Sequence, residues 1–250
     1  MNEQQDVALA HTLHMSLQRA AAYRALARGF FYPSVEVHAE IEQLLSDLMA
    51  AHSGWPSDLD RSLHDCLNSF RDDSLELLQP EYLRLFGPIA KAPLTETSYG
   101  DAYRLLGKAA NLSDIAGFYL AFGVKPSLGG GHQESLPEDH LAMELEFMSL
   151  LNAKEAIAVH EGWLEEAEIT RDAMVKFLQE HLGAWMEPWS SLLFASAPPA
   201  FYNNLVQTLL ALIRHDLNRL AIEPVAILSR TVDTEVGGDE MICPMSIPSA

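Results

Sequence analysis

Residues 136–148, LPEDHLAMELEFM, set four acidic side chains and one histidine into a stretch that otherwise reads as the interior of a helix. His140 and Glu144 stand four residues apart, a spacing that puts two side chains on one helical face, among Leu141, Phe147 and Leu151. Ionised groups in an apolar sector are costly unless paired. Such a pair therefore serves as a structural hydrogen bond, as the lining of a groove for a polar partner, or as two ligands of a metal. The metal chemistry needs three or four ligands. No second pair of matching spacing is present, since His11 and His14 are three apart and His215-Asp216 is a lone dipeptide. No metal is expected, and the alternative kept open is an all-α metal-dependent hydrolase using His140, Glu144, His215 and Asp216. No catalytic nucleophile is expected either, because G-x-S-x-G is absent and neither Cys66 nor Cys243 has an adjacent histidine.

The elements that would position these residues read as helices. Leu9, Leu13, Leu17, Ala20, Ala27 and Phe31 share one sector of a first amphipathic helix that Tyr32-Pro33 ends. Ser34 caps a second helix to about residue 50, and helices over about 58–70 and 74–86 follow. Residues 87–100 predict an ordered connection, and two short helices are expected over 103–110 and 113–122. Pro137 suits a first helical turn, with Glu138 and Asp139 at the positive end of the dipole, so a helix is expected over 138–160. Its apolar residues point to almost every side, which makes it a central helix. Helices over 163–181, 187–194 and 199–222 complete a single-domain all-α bundle of roughly ten helices spanning residues 1–222. Gly129-Gly130-Gly131 sits in a glycine-rich connection, 123–135, but lacks the G-K-[ST] of a phosphate loop. Residues 223–250 read as a mobile tail whose apolar patch, Met241-Ile242-Cys243-Pro244-Met245, can plug an empty groove of the same chain.

The 250 residues carry 16 basic and 35 acidic side chains, a formal charge of -19. That surface repels phosphate, so nucleic acid and anionic lipid are not expected partners and a basic one is favoured. Two distant cysteines suit a reducing compartment, and no apolar run approaches the length of a membrane span. The N-terminus has acids where a signal peptide needs a basic region, so a soluble cytoplasmic protein is expected.

Three segments taken together carry a resemblance: Glu81-Tyr82-Leu83-Arg84-Leu85-Phe86-Gly87-Pro88, then Glu96-Thr97-Ser98-Tyr99, then Leu136-Pro137-Glu138-Asp139-His140 followed by Glu144-Leu145-Glu146-Phe147-Met148. In this combination and order the chain, over about residues 20–222, resembles the TorD/DmsD/NarJ family of redox-enzyme maturation chaperones. The resemblance implies an all-helical, TorD-like fold with no catalytic site and no cofactor. It also implies a partner: the apo catalytic subunit of a molybdenum-containing oxidoreductase, often held by its twin-arginine signal peptide before export. The family usually writes the last motif E-P-x-D-H. Leu136 replaces that glutamate here, and Asp139 and His140 are the residues carried over.

A twin-arginine peptide combines a basic head with an apolar run, so its receptor should combine carboxylates with an apolar groove. Residues 134–168 hold ten acids against Lys154 alone. The expected peptide-binding residues are Asp139, His140 and Glu144, with Pro137, Glu138, Tyr82, Phe86 and Tyr99 beside them, Asp139 forming part of an exposed acidic rim. The chain is expected to be a monomer or a dimer that exchanges helices through the glycine-rich connection.

Overall fold

The Ser34 hydroxyl accepts the Val37 N–H at 3.2 Å and donates to Glu36 at 2.8 Å, so the second helix starts at its predicted cap. A computed structural model describes residues 3–51, 54–100, 105–124 and 136–225. Along them run α1 (Glu3–Arg28), α2 (Val35–Ala51), α3 (Ser57–Asp72), α4 (Leu75–Phe86), a 3-10 turn (Glu96–Ser98), α5 (Leu105–Ala121), α6 (Leu141–Glu161), α7 (Leu164–Phe177), a π turn (Leu178–Leu182), α8 (Met186–Ala195) and α9 (Ala200–Leu220). The fold is an all-α bundle; among the described residues the only extended pairing is one antiparallel bridge, Thr95 to His140. No described helix is long and apolar enough to cross a membrane. The triple glycine of the predicted connection and residues 226–250 of the predicted tail lie outside the described residues.

α6 is the central helix: thirteen of its 21 residues are buried, and it packs along α1 and α7. Polar side chains tie these helices at fixed points. The Ser149 hydroxyl donates to the Ala20 carbonyl at 2.8 Å, and Ser16 donates to Glu155, which also receives Arg171 of α7. On the other side of α1, Arg19 and Tyr23 each donate at 2.8 Å to Asp216 of α9, which is fully buried. Gly162, at φ 74°, supplies the left-handed residue that ends α6.

Three expectations differ from this structure. Leu17 of the predicted α1 sector is exposed, whereas Ser16, Gln18 and Arg19 are buried, because α1 is gripped by α6 on one side and α9 on another and so lacks a single apolar stripe. The two short helices predicted before residue 122 are one helix, α5. Asn111, which looked like a breaker, spends its amide on Glu96 at 2.7 Å and does not compete for the backbone. α6 begins at Leu141, three residues later than predicted, since residues 139–141 are held extended against 94–96. Pro137 and Glu138 therefore precede the helix and do not form its first turn.

Candidate functional site

The motif segments 94–99 and 137–144 meet in one buried junction. Glu96 N–H donates to the Asp139 carbonyl at 2.9 Å, and Leu141 N–H to the Leu94 carbonyl at 2.8 Å. Asp139 Oδ2 accepts from both the N–H and the hydroxyl of Thr97, at 3.1 and 2.6 Å. His140 occupies the N-cap of α6, its Nδ1 accepting from the Ala142 N–H at 3.2 Å. Burial holds that imidazole neutral, lowering its pKa to about 4 against a weaker opposing pull from Asp139. From α5, the Tyr119 hydroxyl donates to the Glu138 carbonyl at 2.8 Å.

Behind this junction lies a chain of ionisable groups. Glu144 is fully buried, and desolvation, reinforced by the negative charge of Glu96, raises its pKa well above the ordinary carboxylate range. It is therefore a neutral acid that hydrogen-bonds Glu96, while its Oε2 accepts from the Trp185 indole at 3.1 Å. Glu96 also receives Asn111 and His181, the latter at 3.3 Å. The other ring nitrogen of His181 meets Asp114 at 3.1 Å. Burial alone would lower the His181 pKa, but the carboxylates on its two nitrogens outweigh burial and raise it, favouring the imidazolium. The sequence Glu144, Glu96, His181, Asp114 thus runs from the centre of α6 to the half-exposed side of α5.

Tyr99, also buried, stacks on Trp185 with centroids 5.4 Å apart. Rings continue from Trp185 to Trp189, Phe30, Phe86 and Tyr82, each within 6.2 Å of the next. The predicted aromatic residues are consequently joined to Glu144 through Trp185, Trp189 and Phe30, which sequence reasoning did not single out. Glu96, Asn111, Asp114 and His181 were missed for the same reason: each is apart from Glu144 in sequence. The one local signal was an ionisable side chain inside an apolar run, as at His181 between Phe177, Leu178 and Leu182.

The expected acidic rim at Asp139 is not what the structure shows. Asp139 is 2% exposed and committed to Thr97, and Glu144 and Glu155 are likewise interior. Pro137 is exposed and Glu138 half-buried, while Tyr82 and Phe86 are half-buried against the core. The exposed acids of this region are Glu161, Glu165, Glu166 and Glu168, around the start of α7. They adjoin an apolar groove between α5 and α7. Its two cavities, of about 460 and 320 Å³, share Ala121, Phe122 and Ile169. Asp114, Asp172 and Lys176 line the first cavity and Lys154, Trp163 and Glu166 the second. Asp114, the last member of the buried chain, is thus a wall of this groove.

The residues proposed for a metal fall into separate hydrogen-bonded sets. Asp216 belongs to Arg19, Tyr23 and Arg219, and Glu144 to Glu96 and Trp185. Among the described residues no group of three or more histidines, cysteines or acids is placed to hold a metal ion.

A sequence profile for the nitrate reductase delta subunit matches residues 53–191. The chain is 30% identical over 195 residues to the perchlorate reductase assembly chaperone protein of Dechloromonas aromatica (strain RCB), a match covering 74% of this chain and 82% of that protein. It is 26% identical over 207 residues to the chlorate reductase assembly chaperone protein of Ideonella dechloratans, covering 82% and 91%. With the selenate reductase assembly chaperone protein of Thauera selenatis it shares 30% identity over 171 residues, covering 67% and 72%.

Proposed function

The chain belongs to the nitrate reductase delta subunit family, whose members are redox-enzyme assembly chaperones, and on that premise we propose that it is the cytoplasmic chaperone of a molybdenum-containing oxidoreductase. It is not an enzyme, and the hydrolase alternative is set aside. Its client is the apo catalytic subunit, bound by the twin-arginine signal peptide and held until the cofactor is inserted, ahead of export.

The observation that carries this reading is the apolar groove between α5 and α7 with acids along it. The leucine-rich run of a signal peptide lies in the groove, where burial of apolar surface supplies most of the affinity. Its arginines face Glu161, Glu165, Glu166 and Glu168 or the carboxylates of Asp114 and Asp172. Pro137 and Glu138 act from the surface near the C-terminal turn of α5, which Tyr119 links to Glu138. Asp139, His140 and Glu144 position that surface from beneath. Tyr82, Phe86 and Tyr99 contribute through the ring series that braces Trp185.

Calorimetric titration of the full chain with a synthetic twin-arginine signal peptide tests this. Replacing both arginines by glutamine should weaken binding about tenfold or more, two charge-assisted contacts being lost. Equal binding of the two peptides, or of a scrambled one, rejects signal-peptide recognition. Co-purification of the client then names the oxidoreductase.

A further inference from the structure

The described chain ends beside the groove and is heading into it. After α9, Pro224 packs at Gly183, where a Cβ added to the glycine would lie 3.4 Å from Pro224 Cβ. The next residue, Val225, donates its N–H to the Gln179 carbonyl at 2.8 Å. Successive residues of the outgoing strand thus touch Gly183 and then Gln179, so the strand runs back along α7 toward its start. Lys176, Asp172 and Ile169, three, seven and ten residues before Gln179, fall on one stripe of that helix, and all three line the groove.

We propose that residues 226–232 of this same chain lie extended in the groove between α5 and α7, occupying the place assigned above to the client's signal peptide. The lengths agree. From Gln179 back to Trp163 a helical rise of about 1.5 Å per residue spans about 24 Å, and seven extended residues at about 3.3 Å each span about 23 Å. In that register Ile227 and Leu228 come level with Ala173 and Asp172, over the cavity walled by Phe118 and Phe122. Val232 reaches the level of Trp163. Arg230 comes between Asp172 and Glu166, the one basic side chain of residues 226–250 set among the acids of the groove. The segment nearest the groove therefore carries an arginine within an apolar run, a short likeness of the client's own chemistry. This inference rests on the signal-peptide reading only for its consequence, competition with the client; docking of the segment stands on the geometry alone.

Trp163 reports on the groove directly, because it is 52% exposed while Trp55, Trp185 and Trp189, the other tryptophans, are buried. Acrylamide quenching is measured on the full chain and on the full-length double variant Ile227→Asp, Leu228→Asp, with Trp163→Phe as the control that assigns the signal and circular dichroism to verify the fold. The expected result is a quenching constant for Trp163 at least twofold higher in the double variant, independent of protein concentration, together with severalfold tighter binding of the twin-arginine peptide. Equal quenching in the two proteins overturns the inference whatever the peptide does. A difference that grows with protein concentration overturns it too, since a second copy would then supply the segment. If quenching changes as expected but neither protein binds the peptide, the segment docks as stated and the signal-peptide reading is what fails.

Discussion

Trp185 donates its indole N–H to Glu144 at 3.1 Å, and Glu144 in turn is a buried acid kept neutral by the negative charge of Glu96 beside it. One shared proton therefore joins the middle of the bundle to the segment that carries Glu96.

Because Glu144 is neutral when folded, Glu144→Gln should leave stability at pH 7 unchanged or slightly increased. Glu144→Ala should cost about 2–5 kcal/mol by opening a cavity and leaving the Trp185 N–H without its acceptor. The pH dependence has a definite sign. A pKa raised by folding contributes stability that is complete below the ordinary carboxyl value of 4.5 and is lost as pH rises toward the folded value. The difference between the parent and Glu144→Gln should therefore favour the parent most at acid pH. Urea denaturation at a series of pH values checks both parts.

Asp139 is a clamp. Asp139→Ala should destabilise by about 2–4 kcal/mol, since it strands the buried N–H and hydroxyl of Thr97. Charge reversal to lysine should cost at least as much, in contrast with a rim residue, whose reversal would leave melting unaltered. Glu138→Lys, on the adjacent half-buried residue, should stay within about 1 kcal/mol of the parent. Thermal melts of the three variants separate these cases.

His140 makes stability fall on the acid side. Its folded pKa of about 4 lies below the ordinary 6.5, so its contribution is complete above pH 6.5 and is lost as pH falls toward 4. His140→Asn keeps an N-cap acceptor but does not titrate. Between pH 6.5 and 4 the parent should lose roughly 2–4 kcal/mol relative to this variant. A constant difference across that interval would show that His140 is not buried as a neutral ring.

Parts of this architecture are legible in the chain itself. α6 announces itself as central because Leu141, Leu145, Phe147, Met148 and Leu151 leave it no polar face, and all five are buried. Ser34 marks the start of α2 because its hydroxyl has a local backbone partner. The interior set was illegible: the partners of Glu144 are Glu96 and Trp185, brought to it by packing and not by helical spacing. Asp139 shows the same limit. An acid before a helix normally faces water, and only the return of Thr97 across the junction turns it inward. The groove, too, is made by α5 and α7 jointly and has no signature in either alone.

The π turn that closes α7 has a consequence for lineage. Its wider winding accommodates an additional residue, and His181 and the approach to Trp185 depend on the phase it sets. Removing one residue from Leu178–Leu182 would restore ordinary helical winding, yet rotate everything after it by about 100° and draw it back by about 1.5 Å. His181 and Trp185 would then leave Glu96 and Glu144 behind. Drift by single-residue gain or loss is thus closed to this stretch, while point substitution stays open, and length is the character by which its descent can be traced.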